Sequence, residues 1–413
     1  MDAAAFDRPL RNSLRAALAD TPVVCLLGPR QSGKSTLAQT LVPQFTYVTL
    51  DDAATLSFAK ADPTGFVAAL PDPVILDEVQ RVPELLRSIK FAVDRDRRPG
   101  RFLLTGSANL LMLPRLGDSL AGRMEVVELH PLTAAEIARA PGQFLAALIE
   151  GRLKPRVVQA PQEVPLALAA RVAAGGFPEA VARTAARART WHRQYVRTLV
   201  ERDVRDVARV RDAREVARLL ELLALRTAQL LNVSSVGVDL GLRRETVDHY
   251  LDVCEHLYLI RRLQPWHRNA AKRLIKTPKV HLVDSGLAAT LSGFDAHDWA
   301  GQRERFGHLL ESFVVQQLIA QAGWTDPDLR FWHYRDKDQV EVDLVITHGR
   351  RTWGVEVKAA ATVTPADGRG LRRLAEQCGK DFQGGVLLHA GTSTLPLEIP
   401  GGMAVPLARM WDM

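Results

Sequence analysis

The sequence predicts a multidomain α/β protein whose N-terminal third is built on a parallel β-sheet. The chain has 413 residues, which is more than a single hydrophobic core usually accommodates. Apolar runs of about five residues alternate with segments of helical length in the first third of the chain, as is typical of strands buried on both faces of a parallel sheet. A similar alternation returns in the last quarter, so we expect a second α/β domain there.

The N-terminal domain is predicted to cover residues 1–135. Its predicted strands are short and apolar, and they lie at residues 23–27, 47–50, 74–76, 102–104 and 124–129. Residues 136–230 lack such runs and are rich in Ala, Leu and Arg, which predicts a helical extension. Gly175 and Gly176 interrupt that helical pattern.

Two further domains are predicted in the second half of the chain. Residues 231–298 contain a short helix ending at Gly241, a second helix over 243–257 and two strand-like runs around a basic loop, which predicts a winged helix. Residues 299–413 begin with a helix over 303–322. The predicted strands of this last domain lie at 329–334, 340–347, 352–358 and 384–389.

The composition is that of a soluble globular protein, with 47% hydrophobic and 24% charged residues. No apolar run is long enough to span a membrane, and the N-terminus lacks the apolar core of a secretory signal. Cys25, Cys254 and Cys378 are odd in number and widely spaced, which favours reduced thiols over a disulfide framework. We therefore expect a cytoplasmic protein with no membrane partner. The net charge of +7 is compatible with a polyanionic partner but does not require one.

A phosphate-binding motif comes directly after the first predicted strand. Residues 28–35 read Gly-Pro-Arg-Gln-Ser-Gly-Lys-Ser and match G-x-x-x-x-G-K-[ST] between a strand and a helix. Glycines let the backbone wrap phosphate oxygens, and the helix N-terminus attracts anions. We expect ATP here, with Lys34 on the β- and γ-phosphates and Ser35 on Mg²⁺. The residues expected to contact the nucleotide are Gly28, Pro29, Arg30, Gln31, Ser32, Gly33, Lys34, Ser35 and Thr36.

A second motif indicates that the nucleotide is hydrolysed. The predicted strand 74–76 is followed by Asp77 and Glu78, of which Asp77 is expected to hold Mg²⁺ and Glu78 to act as general base toward the attacking water. Both acids could instead cap a helix, but the preceding phosphate motif favours the catalytic interpretation.

Hydroxyl side chains and one arginine complete the predicted ATP site. Ser107 is expected to sense the γ-phosphate, with Thr105 and Asn109 as alternatives at the end of the same strand. Arg123 is expected to neutralise charge on the γ-phosphate, within the subunit or across an interface. An ordinary surface salt bridge explains Arg123 equally well.

These motifs, taken together, resemble those of a family of bacterial and archaeal AAA-type ATPases that carry a nuclease-like C-terminal domain of unassigned function. The resemblance extends over nearly the whole chain. It is carried by the phosphate motif and by residues 50–52, 76–80, 104–107, 121–123, 175–179, 202–203, 265–266, 269, 272–274, 278–279 and 284–287. It implies a core in which the strand ending near Ser107 lies between the strands that precede Gly28 and Asp77. It also implies a winged helix in the middle of the chain.

The predicted winged helix has features that favour nucleic acid and features that oppose it. Basic residues stand where base-reading and phosphate-contacting side chains usually lie; they are Arg243, Arg244, Lys272, Arg273, Lys276 and Lys279. Glu245, Asp248, Asp252 and Glu255 are acids on the same predicted helix and would repel DNA. Use as a lid or interdomain joint is the alternative.

The last domain contains a constellation that resembles the PD-(D/E)xK nuclease core. Asp343 lies in one predicted strand, Glu356 and Lys358 share one face of the next, and Glu311 projects from the preceding helix. Asp343 and Glu356 would bind Mg²⁺, Lys358 would orient or deprotonate water, and Glu311 would add a ligand. A binding module that kept this charged pocket without activity is the alternative.

The sequence as a whole therefore predicts a P-loop NTPase core of the AAA type, a helical extension, a winged helix and a C-terminal restriction-endonuclease-like α/β domain. We expect an ATPase with ATP and Mg²⁺ as cofactors that acts as a switch coupled to DNA or RNA binding, with or without cleavage. The alternative is a switch that engages a protein partner or assembles into a homo-oligomer.

Overall fold

The structure is a computed structural model that describes residues 6–108, 120, 122–156, 165–204, 212–268 and 277–413. The chain divides into two compact units. The first comprises Met1–Pro131 with His256–Tyr258, and the second comprises Leu132–Glu255 with Leu259–Met413. Within the described ranges, no helix is both long enough and apolar enough to cross a membrane.

The first unit is built on a sheet of five parallel strands. They are β1 (Val23–Leu27), β2 (Thr46–Thr49), β3 (Val74–Asp77), β4 (Phe102–Gly106) and β5 (Met124–Glu128). Their order across the sheet is β2-β3-β4-β1-β5, and every neighbouring pair is parallel. β4 thus lies between β1 and β3, which confirms the strand order that the family resemblance implied.

The sequence of these strands explains their positions. β1, β3 and β4 are buried along their whole length, as the continuous apolar runs predicted. β2 is a partly exposed edge strand. The helices of this unit are Leu10–Asp20, Lys34–Leu41, Ala53–Ala61, Pro63–Ala69 and Leu85–Arg95, with a 3₁₀ turn at Val79–Arg81.

The second unit is mostly helical in its first half. Its α-helices are Ala134–Ile137, Phe144–Ile149, Pro165–Ala174, Pro178–Val181, Ala185–Thr198, Ala213–Leu225, Val233–Leu240, Arg244–His256, Ser285–Ser292, Arg303–Thr325, Arg369–Cys378 and Arg409–Asp412. A π-helical turn covers Leu199–Asp203, and 3₁₀ turns cover Ala296–Asp298, Pro365–Gly368 and Gly379–Asp381.

A small antiparallel sheet accompanies the helix pair of the predicted winged helix. Its strands are β6 (Gln229–Leu230), β7 (Ile260–Leu263) and β8 (Lys279–Leu282), and β8 lies between the other two. Gly241 ends helix Val233–Leu240 in the left-handed conformation with a φ of 70°, as predicted. The helix–turn–helix–strand–strand order is therefore confirmed, and its identity as a winged helix remains a prediction.

The C-terminal part of the second unit contains a six-stranded mixed sheet. Its strands are β9 (Arg330–Arg335), β10 (Glu341–His348), β11 (Arg351–Lys358), β12 (Phe382–His389), β13 (Leu395–Pro396) and β14 (Gly402–Pro406), in the order β13-β14-β12-β11-β10-β9. The four predicted strands correspond to β9–β12, whereas β13 and β14 were not predicted. Helix Arg303–Thr325 is buried from Leu309 to Ala322 without interruption, so it shows no polar face to solvent there.

A buried aspartate ties two distant parts of the second unit together. Asp284 caps helix Ser285–Ser292 by accepting the Leu287 N–H at 2.8 Å, and its other oxygen accepts the Gly176 N–H at 2.6 Å. Gly175 has a φ of +69°, and a Cβ there would lie 2.3 Å from the Asp284 carboxylate. Glycine at position 175 is therefore required for this close approach.

We expect Asp284→Ala to lower the free energy of unfolding by about 2–4 kcal/mol, because two buried N–H groups lose their acceptor and a helix loses its cap. Asp295→Ala is the control: Asp295 caps a 3₁₀ turn through the His297 N–H at 3.0 Å and forms a partly exposed ion pair with Arg189 at 3.0 Å, so its loss should cost about 1 kcal/mol or less. Denaturant unfolding followed by circular dichroism measures both. Equal losses for the two variants would contradict the role given to Asp284.

Candidate functional site

The predicted phosphate loop connects β1 to helix Lys34–Leu41. Gly28, Gln31 and Gly33 have φ values of 149°, 61° and 96°, so the backbone takes the curled path typical of anion-binding loops. A Cβ on Gly28 would lie 2.1 Å from the carbonyl oxygen of Leu129. Only glycine fits at that position without moving the backbone beyond the end of β5.

Lys34 lies buried over this loop. Its ammonium donates hydrogen bonds to the carbonyl oxygens of Gly28 at 3.1 Å and Pro29 at 2.9 Å. Burial lowers the pKa of Lys34 to about 8, although Glu78 and Asp77 act in the opposite direction. The loop thus holds a cation whose present partners are neutral carbonyls that anionic oxygens can replace.

The carboxylate of Asp77, at the end of β3, accepts hydrogen bonds from side chains of three other elements. Its Oδ1 accepts hydrogen bonds from the hydroxyls of Ser35, at 2.9 Å, and Thr105. Its Oδ2 accepts one from the phenol of Tyr47 at 2.6 Å. Serine and aspartate oxygens are hard ligands that suit Mg²⁺, and the two predicted ligands Ser35 and Asp77 are already in contact. These residues therefore fit the predicted metal.

Glu78 lies next to Asp77 in an unusual backbone conformation, with a φ of 59° and a ψ of 41°. Left-handed conformations are uncommon outside glycine and concentrate at functional sites. Glu78 Oε2 accepts hydrogen bonds from Ser107 Oγ at 3.1 Å and from Gln80 Nε2. Gln80 Nε2 also donates to Ser107 Oγ at 2.9 Å. The predicted base and the predicted γ-phosphate sensor thus form one hydrogen-bonded group.

Sequence reasoning assigned no role to Tyr47 and Gln80, which both contact the acidic pair. Tyr47 pairs with Ile75 across β2 and β3, which puts it diagonally opposite Asp77. That signal is visible only when the strand order is known. Gln80 lies two residues after Glu78, close to the end of β3. This spacing between an amide and an acid was the sequence signal that could have identified Gln80.

The remaining predicted residues of the ATP site are placed differently. Thr36 is exposed on the first turn of helix Lys34–Leu41, and Ser32 is fully buried. Arg123 forms an ion pair with Asp94 of helix Leu85–Arg95. The structure therefore places Arg123 in the salt bridge that was the alternative to a phosphate contact. Asn109 lies outside the described residues.

The predicted C-terminal constellation comes together, and it includes a lysine that was predicted elsewhere. Lys279 Nζ lies 2.7 Å from Glu311 Oε1 and 3.7 Å from Asp343 Oδ1. Asp343 Oδ2 accepts the Val357 N–H at 2.9 Å. Glu356 Oε2 accepts the Asp343 N–H at 3.3 Å.

Burial distinguishes the members of this constellation. Lys358 Nζ is 3.7 Å from Glu356 Oε1 and is partly exposed, whereas Lys279 is only 3% exposed. Burial lowers the pKa of Lys279, but Glu311 and Asp343 more than offset this effect, and the pKa is raised. Burial raises the pKa of Glu356 well above its usual value.

The predicted nucleic-acid residues divide into three groups. Arg243 and Arg244 are exposed at the start of helix Arg244–His256, and Arg244 Nε lies 3.6 Å from Asp248. Lys279 was predicted to contact phosphates from the end of the basic loop, but the structure buries its side chain in the C-terminal cluster, where it pairs with Glu311. The other three predicted residues, Lys272, Arg273 and Lys276, lie outside the described residues.

Comparisons with protein families divide the chain into three matched regions. An AAA domain matches residues 20–138, a domain of unknown function (DUF8612) matches residues 166–298, and another domain of unknown function (DUF4143) matches residues 306–410. The AAA match covers the phosphate loop, Asp77, Glu78 and all five strands of the parallel sheet.

Two curated relatives cover most of the chain. The uncharacterized protein Rv2008c of Mycobacterium tuberculosis is 30% identical over 360 residues, which is 87% of this chain and 75% of that protein. An uncharacterized protein of Mycobacterium bovis matches with the same figures.

Likeness to solved structures is weaker. A Walker-type ATPase of Pyrococcus abyssi is 18% identical with a TM-score of 0.42 and covers 70% of this chain and 97% of its own. The RuvB Holliday junction branch migration motor of Thermotoga maritima is 18% identical with a TM-score of 0.28 and covers 61% of this chain and 88% of its own. Both TM-scores are too low to support a shared overall fold.

The phosphate loop itself offers a matched pair of substitutions. We expect Gly28→Ala to cost about 3 kcal/mol of stability or more, because the new Cβ overlaps the Leu129 carbonyl and backbone must move. Gly33→Ala meets no atom within 4 Å and has a φ of +96°, so it should cost about 1–2 kcal/mol of backbone strain. Thermal and denaturant unfolding test this difference. A Gly28→Ala variant no less stable than Gly33→Ala would show that Leu129 does not fix the loop.

Proposed function

The chain belongs to the protein family that includes the uncharacterized mycobacterial relatives, and we propose that it is an AAA-type ATPase that works as a nucleotide-driven switch. The observation that carries this proposal is the convergence of Lys34, Ser35, Asp77 and Glu78 at one edge of the parallel sheet. The AAA domain match over residues 20–138 supports ATP as the ligand.

Binding of the triphosphate begins with an exchange of partners at Lys34. Its ammonium gives up the carbonyl oxygens of Gly28 and Pro29 for phosphate oxygens, which carry charge and bind it more strongly. Ser35 and Asp77 would hold Mg²⁺, which when bound neutralises negative charge on the phosphates. The N–H groups of the loop and of the first helical turn add fixed positive dipoles.

Hydrolysis requires a base beside the γ-phosphate, and we assign this role to Glu78, which follows Asp77 at the carboxyl end of β3. The carboxylate accepts a proton from the attacking water, and Ser107 and Gln80 hold its Oε2 in place by donating hydrogen bonds. Ser107 donates to Glu78 and is also the predicted sensor of the γ-phosphate, so we expect arrival of ATP to change the partners of the base. That change is the switch we propose.

Two substitutions separate binding from turnover. We expect Lys34→Ala to abolish nucleotide binding, because the loop loses the buried ammonium that would contact the phosphates. Glu78→Gln should keep binding and lower turnover by about 10²–10⁴-fold, because the amide cannot accept the proton. Calorimetry with Mg-ATP measures binding, and phosphate release measures turnover.

The matched control is Glu84→Gln, which changes an exposed carboxylate of the same unit and should leave both measurements unchanged. Wild-type turnover by Glu78→Gln, or undiminished ATP affinity of Lys34→Ala, would reject the proposal.

We propose nucleic-acid binding as the output of the switch, through the start of helix Arg244–His256. Arg243 and Arg244 are exposed there. Two acids that would oppose DNA, Asp252 and Glu255, are both paired with Arg262. This pairing reduces the repulsion expected from the sequence and supports contact with a polyanion.

Salt dependence tests this output. We expect DNA or RNA affinity to fall steeply with added salt, and the double variant Arg243→Ala/Arg244→Ala should lower the slope of log K against log salt by about 2. Fluorescence anisotropy with labelled oligonucleotides measures the slope. Arg350→Ala/Arg351→Ala removes the same charge from two exposed positions, one in the turn after β10 and one at the start of β11, and serves as control. Affinity that does not depend on salt, or equal effects of the two pairs, would contradict nucleic-acid binding at this helix.

The second candidate is a switch that engages a protein partner or a second copy of this chain. The observation that favours it is Lys279, which lies among the carboxylates that the nuclease interpretation needs for Mg²⁺. A C-terminal domain that binds a partner without cleaving nucleic acid requires no metal there.

A further inference from the structure

The C-terminal carboxylate cluster draws its residues from four elements of the second unit. Glu311 comes from helix Arg303–Thr325, Glu341 and Asp343 come from β10, and Glu356 comes from β11. Lys279 comes from β8 of the separate three-stranded sheet. A cation from another sheet therefore enters a group of acids that the sequence alone assigned to a metal.

The ammonium of Lys279 lies where these acids converge. Its Nζ is 2.7 Å from Glu311 Oε1, 3.6 Å from Glu341 Oε2 and 3.7 Å from Asp343 Oδ1. A divalent ion would need several of the same oxygens at about 2.0–2.6 Å. The Lys279 ammonium and a divalent ion would therefore compete for the same carboxylate oxygens.

Two further oxygens of the cluster accept hydrogen bonds from backbone N–H groups. Asp343 Oδ2 accepts the Val357 N–H at 2.9 Å, and Glu356 Oε2 accepts the Asp343 N–H at 3.3 Å. With Lys279 in place, the residues present do not fit the metal that the nuclease resemblance implies.

Lys279 cannot easily leave, because its backbone lies in the central strand of its sheet. It pairs with Leu230 of β6 on one side and with Leu263 of β7 on the other. Its side chain is 4% exposed, so moving the ammonium away would leave buried carboxylates without a partner. Such a loss is strongly destabilising.

We propose that Lys279 is the resident cation of this cluster and that the folded domain consequently takes no divalent metal at Asp343 and Glu356. The lysine fixes β8 against helix Arg303–Thr325 and β10 by charge, in the place where a nuclease would hold its ion. This inference does not depend on the ATPase proposal, since it concerns residues of the second unit alone.

Manganese binding tests the inference in the full-length chain. The parent for the experiment is Asp77→Asn, which removes the carboxylate that the phosphate loop would offer to Mn²⁺. We expect this parent to show no stoichiometric Mn²⁺ site by electron paramagnetic resonance. Lys279→Met in the same background should unfold at lower temperature, gain one Mn²⁺ site at least about tenfold tighter than any in the parent, and recover thermal stability when Mn²⁺ is added.

A charge-balanced variant completes the experiment. Lys279→Met/Glu311→Gln removes one positive and one negative group together, so it should fold without Mn²⁺ and bind the ion more weakly than Lys279→Met. If Lys279→Met alone does not fold, this double variant carries the test, and its failure to fold would contradict charge balance as the role of Lys279. A parent that binds Mn²⁺ stoichiometrically, or a folded Lys279→Met that gains no Mn²⁺ site, overturns the proposal.

Discussion

The N-terminal site depends on the carboxylate of Asp77 and on the three hydroxyls that donate to it. Ser35, Tyr47 and Thr105 come from the helix after the phosphate loop, from β2 and from β4. All reach Asp77 because the carboxyl ends of parallel strands meet at one edge of a sheet. One acceptor thus holds together the predicted phosphate loop and the strands that end near the predicted base and the predicted sensor. Glu78, with its left-handed conformation, is the next residue along the chain.

Much of this arrangement could be predicted from the sequence, because the elements concerned have strong local signals. The strands β1, β3 and β4 are continuous apolar runs, and the phosphate motif identifies the loop and the helix that come after β1. Tyr47 could not be found in this way, since its contact with Asp77 depends on β2 pairing with β3. The role of Lys279 was mispredicted because its basic neighbours suggested a phosphate-binding surface. β8 is in fact buried at every position, and Lys279 and His281 find partners, Glu311 and Ser312, that are distant in the sequence.

Formal charge was also a poor guide to local electrostatics. The acids of helix Arg244–His256 suggested a surface that repels DNA, yet Arg262 of β7 pairs with Asp252 at 2.7 Å and also with Glu255. Similarly, Gly175 and Asp284 are more than a hundred positions apart in the sequence, and only the tertiary fold explains why they lie close together. In each case a residue type was informative, but its partner lay on another element and carried no local signal.

The two carboxylate clusters of this chain differ in what it costs to replace their partners. At Asp77 the donors are neutral hydroxyls, and exchanging one hydrogen bond for another changes the free energy by only about 1 kcal/mol. At Glu311 the donor is a buried ammonium anchored in the middle of a sheet, and removing one member of a buried ion pair costs about 3–5 kcal/mol. A bound nucleotide with its metal can offset the first cost easily. The second cost opposes any metal that would enter the C-terminal cluster. Exchange of ligands, and hence chemistry, is therefore expected at the N-terminal site, while the C-terminal acids serve to hold the fold.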